Sequence, residues 1–188
     1  MGDFMKIWRV DKNVDDYSGF YLKNEDDKNI LEEKLDKGDL VSNWNELEVE
    51  VHEADKPIGD CPHLWSGGYS LIVSERGKEI ISNNYKNYIQ FLSLNYSQEN
   101  QKFYVLNNLN IIDCVDYNKS ELEILMNKYI VDVKKYVFNE NAKKAPIFKI
   151  YLDGVIKIST FVNNDFKNLI EDSRLEGFKF TEVFDFEA

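Results

Sequence analysis

Residues 62–77 read PHLWSGGYSLIVSERG, a passage that runs from loop to strand to helix. Pro62 and the pair Gly67–Gly68 break regular structure, and two glycines allow a positive-φ turn where the chain enters a strand. YSLIV (69–73) is a short apolar run of the length expected for a buried strand. Ser74 follows it as the N-cap of a helix through about Asn83, with Ile80 and Ile81 facing inward. Upstream, residues 54–68 hold two of the three prolines and three of the nine glycines, which predicts an irregular loop and a lobe boundary.

Outward from this junction, β-forming runs dominate. KIWRV (6–10) and GFYLK (19–23) predict two strands. NEDDKNILEEKLDKG (24–38) predicts a helix with Asn24 as N-cap, Ile30, Leu31 and Leu35 on one face, and Gly38 at the stop. ELEVEVHE (46–53) alternates strictly, burying Leu47, Val49 and Val51 and turning Glu46, Glu48, Glu50 and His52 outward. Residues 88–94 and 102–106 read as a hairpin, 109–115 as a continuation of that sheet, and 129–138 and 146–152 as further strands. Residues 163–177 predict a helix burying Phe166, Leu169 and Ile170, and 178–186 a closing strand. The expected fold is α+β: a mainly antiparallel sheet with about three helices in a single compact domain, residues 1–188.

The charge is uneven. The chain carries a net −11. Residues 1–60 hold 17 acids against 8 bases, a net −9, whereas 61–188 hold 17 against 15, a net −2. This divides an acidic N-terminal lobe (1–60) from a main body (61–188). Such a lobe repels nucleic-acid phosphates and acidic membrane surfaces and steers basic partners inward. Solubility is the other reading of the same acids, and composition does not choose between them. Two cysteines give no disulfide framework, and MGDFMKIWRV lacks the apolar core of a signal peptide, so a cytoplasmic location is expected.

Catalytic motifs fail on spacing. A phosphate loop needs its first glycine where Ile72 stands and a hydroxyl where Glu79 stands. A nucleophile elbow would need a second glycine in place of Ile72, and its Ser70 enters a strand rather than leaving one. Cys61, His63, His52 and Cys114 lack the paired spacing of a zinc site. No metal, cofactor or catalytic residue is expected.

Several segments stand out in order: MKIWRV (5–10, with Trp8), Pro62 with Ser66, Gly67 and Gly68, and IVSERGKEI (72–80, with Ser74 and Glu75). LNIIDCVDYNKS follows, with Asp113, Asp116 and Ser120, then YVF (136–138) and residues 165–185, with Phe166, Gly177, Phe178 and Phe180. In this order they resemble immunity proteins of bacterial polymorphic toxin systems. Arg76 and Gly77 stand where the family usually has Lys and Ala, and NYIQFLSL stands where it usually has Gly-Glu-x-Leu-Pro-Leu after the helix. The resemblance implies a non-enzymatic inhibitor that binds a co-encoded toxin domain, with no nucleic acid or membrane partner. The matched residues are then core and turn positions. Docking falls to the acids Asp26, Asp27, Glu32, Glu33 and Asp36 around one helix and Glu46, Glu48 and Glu50 on a strand. The alternatives are an acidic nucleic-acid mimic, which needs acids along one long face, and a small enzyme.

Overall fold

The computed structural model describes residues 5–65, 70–97, 101–126 and 128–187. The elements run, in chain order, β1 (Lys6–Lys12), β2 (Phe20–Leu22), α1 (Asp27–Lys34), β3 (Leu47–Val51), β4 (Leu71–Ser74), α2 (Glu75–Tyr85), β5 (Ile89–Tyr96) and β6 (Phe103–Asn108). They continue with β7 (Ile111–Ile112), β8 (Glu121–Leu125), β9 (Tyr129–Lys135), α3 (Glu140–Lys143), β10 (Ile147–Leu152), β11 (Val155–Asn163), α4 (Asn164–Asp172) and β12 (Phe178–Asp185).

The strands form two five-stranded sheets, ordered β12-β1-β11-β10-β7 and β2-β3-β5-β6-β4, and a separate β8–β9 hairpin. Each large sheet is mixed, because β10 pairs β7 in parallel and β3 pairs β5 in parallel. This corrects the expectation of a mainly antiparallel sheet. A parallel pair needs a long crossover, and β4 with α2 supplies the one between β3 and β5. The run 109–115 does not continue the hairpin sheet as expected: Ile111 and Ile112 join β10 in the other one. Asn24 is not the cap of α1. Its side chain accepts from the Asp26 amide at 3.3 Å, and the helix begins at Asp27.

Strand alternation sets three cores. Between the large sheets lie Val10, Ile147 and Val162 of the first and Leu71, Val73, Ile89 and Leu106 of the second, with Ile81 of α2 and Phe166 and Ile170 of α4. The far face of the second sheet presents Phe20, Leu22, Leu47, Val49, Leu92, Leu94 and Val105, and α1 covers it through Leu31 and Leu35. On the far face of the first sheet Ile7, Phe148, Ile150 and Phe161 meet Cys114, Val133, Phe138 and Ala142. Residues 1–60 therefore contribute to both sheets, β1 to one and β2 and β3 to the other.

Two polar networks cross between the sheets. Asp36 accepts from Ser70 Oγ (2.8 Å), the Asn108 amide (3.0 Å) and Lys149 Nζ (2.6 Å). The Lys149 side chain is 2% exposed and that of Asp36 12%. An unpaired buried ammonium is costly, so this pair ties the loop after α1 to β10. The second network centres on Asp60, which accepts from Ser74 Oγ, from Arg76 (3.2 Å) and from the Glu176 amide (2.9 Å). Arg76 also donates to the Ser173 and Arg174 carbonyls, clasping α2 to the turn after α4.

Candidate functional site

The acids singled out from the sequence separate into three environments. Asp26, Glu32 and Glu33 are exposed on or beside α1, and Asp27 is partly exposed at its first turn. Lys28 pairs Glu32 at 3.6 Å, an exposed contact of small energy. Glu46, Glu48 and Glu50 are exposed, with Lys23 2.7 Å from Glu48. Asp36 is a correction: it looked exposed in the sequence, but its carboxylate is held by Lys149 and Ser70 and is unavailable to a partner.

The two acidic rows do not merge. Leu47 and Val49 share a core with Leu31 and Leu35 of α1, and successive strand side chains point to opposite faces. Glu48 and Glu50 therefore project from the face of the sheet opposite α1. Tyr21 lies across from Glu50, and from it a run of aromatic rings extends along the same edge. Tyr21 meets His52 (centroids 4.5 Å apart), His52 meets Trp65 (5.2 Å), and Trp65 meets His63 (4.5 Å). Tyr21 is 40% exposed and Trp65 43%. Backbone pairing fixes the indole: the Phe20 amide donates to the His63 carbonyl, and the Trp65 amide donates to the Phe20 carbonyl (2.8 Å). A Cβ at Gly19 would stand 2.6 Å from Trp65 Nε1, so the glycine makes room for the ring.

The motif residues occupy caps, turns and core. Ser74 Oγ accepts from the Gly77 amide at 3.0 Å, as the sequence predicts. Glu75 accepts from the Tyr104 hydroxyl and from Lys78 (2.9 Å), and these bonds hold its carboxyl below the usual range. Trp8 Nε1 donates to Asn164 Oδ1 (2.8 Å). Asp116 Oδ1 accepts from the Asn118 and Lys119 amides, and Ser120 Oγ accepts from the Val137 amide. Asp113 is exposed, and its carbonyl accepts from Asn141. Phe166 is fully buried, and Phe178 and Phe180 stack at 6.2 Å. Gly177 has φ +84°, in the left-handed region, with Cys61 backbone atoms 3.1 Å from where a Cβ would sit. Pro62 is buried, while Ser66, Gly67 and Gly68 lie outside the described residues.

A cleft of about 590 Å³ lies among Ile58, Asp60, Ser74, Arg76, Lys102 and Glu176, but Asp60 and Arg76 are already joined in the clasp. Cys61 is buried rather than carried at the surface of its loop, and burial pushes its thiol up to about 12. Burial does the same to Cys114, to about 12. Both are therefore protonated at neutral pH and poor nucleophiles. Among the described residues no group of three or more His, Cys, Asp or Glu is arranged to hold a metal ion. Nor is any helix among them long and apolar enough to cross a membrane.

Trp65 and Tyr21 were missed as candidates because no periodicity marks them. The available signal was an indole beside a glycine-rich turn, a residue type enriched at interface hot spots. A search of curated proteins finds no match. The model of the Immunity protein family (Imm11) matches residues 7–185, from β1 to the end of β12. That span takes in every one of the caps, turns and core contacts above, and the chain belongs to this immunity protein family.

Proposed function

We propose that the chain is a non-enzymatic, cytoplasmic inhibitor that binds the toxin domain encoded beside it and neutralises it one to one. The match to the immunity family along nearly the whole chain carries this reading. The exposed acids Asp26, Glu32, Glu33, Glu46, Glu48 and Glu50, with the partly exposed Asp27, steer a basic toxin surface, since opposite fields speed encounter and fix orientation. Inhibition needs no cofactor, metal, nucleic acid or membrane, only surface complementarity.

The experiment co-expresses, in a bacterial host, this chain and the C-terminal domain of the protein encoded by the adjacent reading frame. The domain alone should arrest growth, and the chain should restore it and co-purify with the domain at one-to-one stoichiometry. Arrest that persists with the chain folded and abundant, or rescue without a complex, would overturn the reading.

A further inference from the structure

We infer that the edge formed by Tyr21, His52 and Trp65 is the anchoring surface for the toxin, with Glu48 and Glu50 beside it receiving cationic side chains. This rests on the immunity reading and names the part of the surface that would supply the affinity. Interface energy concentrates in a few aromatic or arginine anchors surrounded by weaker contacts. The two exposed rings with His52 between them form an aromatic strip, held by the β2 backbone and by the space Gly19 leaves. Glu50 forms no ion pair among the described residues, and Glu48 has only the exposed Lys23. A cation arriving from a partner meets net negative charge there, two carboxylates against the Lys23 ammonium, in the part of the chain whose net charge is −9 over residues 1–60.

The β8–β9 hairpin is the rival surface. Ile124, Leu125, Met126 and Tyr129 are each more than half exposed. Residues 119–135 carry four lysines against three acids, so that tip has no charge preference for a basic partner. The aromatic edge is the one whose surroundings specify the chemistry of what covers it.

The test uses the full chain and the purified toxin domain that it rescues. Trp65→Ala and Tyr21→Ala should each weaken the dissociation constant about 30-fold. Glu50→Lys should slow association about fivefold at low salt and much less at high salt. Tyr129→Ala, on the hairpin, should stay within about twofold of wild type, below a hot-spot effect. Hydroxyl-radical footprinting of the wild-type complex reads the same surface without substitution, should a variant misfold: Trp65 and Tyr21 lose reactivity, and Met126 and Tyr129 keep theirs. Tight wild-type binding with Trp65 and Tyr21 unprotected would overturn this assignment and leave the immunity reading intact. The assignment also falls if Trp65 is protected in the free chain as its concentration rises, since the occupant is then a second copy. Absence of any wild-type complex removes both claims.

Discussion

His63 links a single ring to the pH response of the whole fold. Burial lowers its pKa below the free value, and the nearby Lys12 ammonium lowers it further. Among the described residues, Nδ1 has no hydrogen-bond partner although it is buried. The unfolded ring takes up a proton first as pH falls, so this contribution to stability is complete above about 6.5 and shrinks below it. Glu75 acts with the same sign in a separate window, because its depressed carboxyl pKa supports the fold above about 4.5 and loses that support as pH falls further. Urea midpoints should therefore drop between pH 7.5 and 5.5, and His63→Gln should flatten that slope. An unchanged slope in the variant would remove His63 as its source. The sequence placed His63 in a loop beside Cys61, but burial of Cys61 depends on how residues 174–177 return against that loop. The Cys61 amide donates to the Glu176 carbonyl at 3.0 Å, a contact over a hundred positions away in the chain.

At the scale of elements, caps separate what is local from what is tertiary. Asn163 Oδ1 accepts from the Phe166 amide at 3.0 Å and caps α4, whereas Ser74 both caps α2 and donates to Asp60. Asn163→Ala should cost about 1 kcal/mol. Ser74→Ala should cost about 2 kcal/mol, because it also strips a bond from a mostly buried carboxylate. Urea denaturation of the pair measures the difference, and equal losses would mean that the Ser74–Asp60 bond adds nothing to the cap. Ser74 was legible as a cap because capping is written in adjacent residues. The strand β11 was not picked out, although it lies at the centre of its sheet. Asp153 (φ +50°) and Gly154 (φ +83°) turn the chain between β10 and β11, and an Asp-Gly pair between β-forming runs was the available hairpin signal. Parallel pairing of β3 with β5 was beyond local reading, since alternation reports which face is buried and not which strand lies alongside.

Across the whole molecule, the acids form two fields rather than one. The row on α1 and the row on β3 lie on opposite faces of a sheet, an arrangement set by the core that Leu31 and Leu35 share with Leu47 and Val49. Both rows were legible as charge patterns, but their relative placement depends on which face α1 covers. If the aromatic edge docks the toxin, Glu46, Glu48 and Glu50 stand in or beside the contact, while Asp26, Glu32 and Glu33 act only at a distance. Screening at physiological salt has a length of about 8 Å, so the far row should matter at low salt and fade first. Replacing Glu46, Glu48 and Glu50 with Lys should slow association about tenfold at low salt, with a clear deficit persisting at 0.15 M. Replacing Asp26, Glu32 and Glu33 should slow it about twofold at low salt and leave it near wild type at 0.15 M. Stopped-flow association across a salt series, with thermal melts to verify folding, gives both slopes. Equal effects from the two rows would place the contact on neither face in particular, and unchanged rates for both would reduce the acids to a solubility role. A larger effect from the α1 row would move the docking surface to the other side of the sheet.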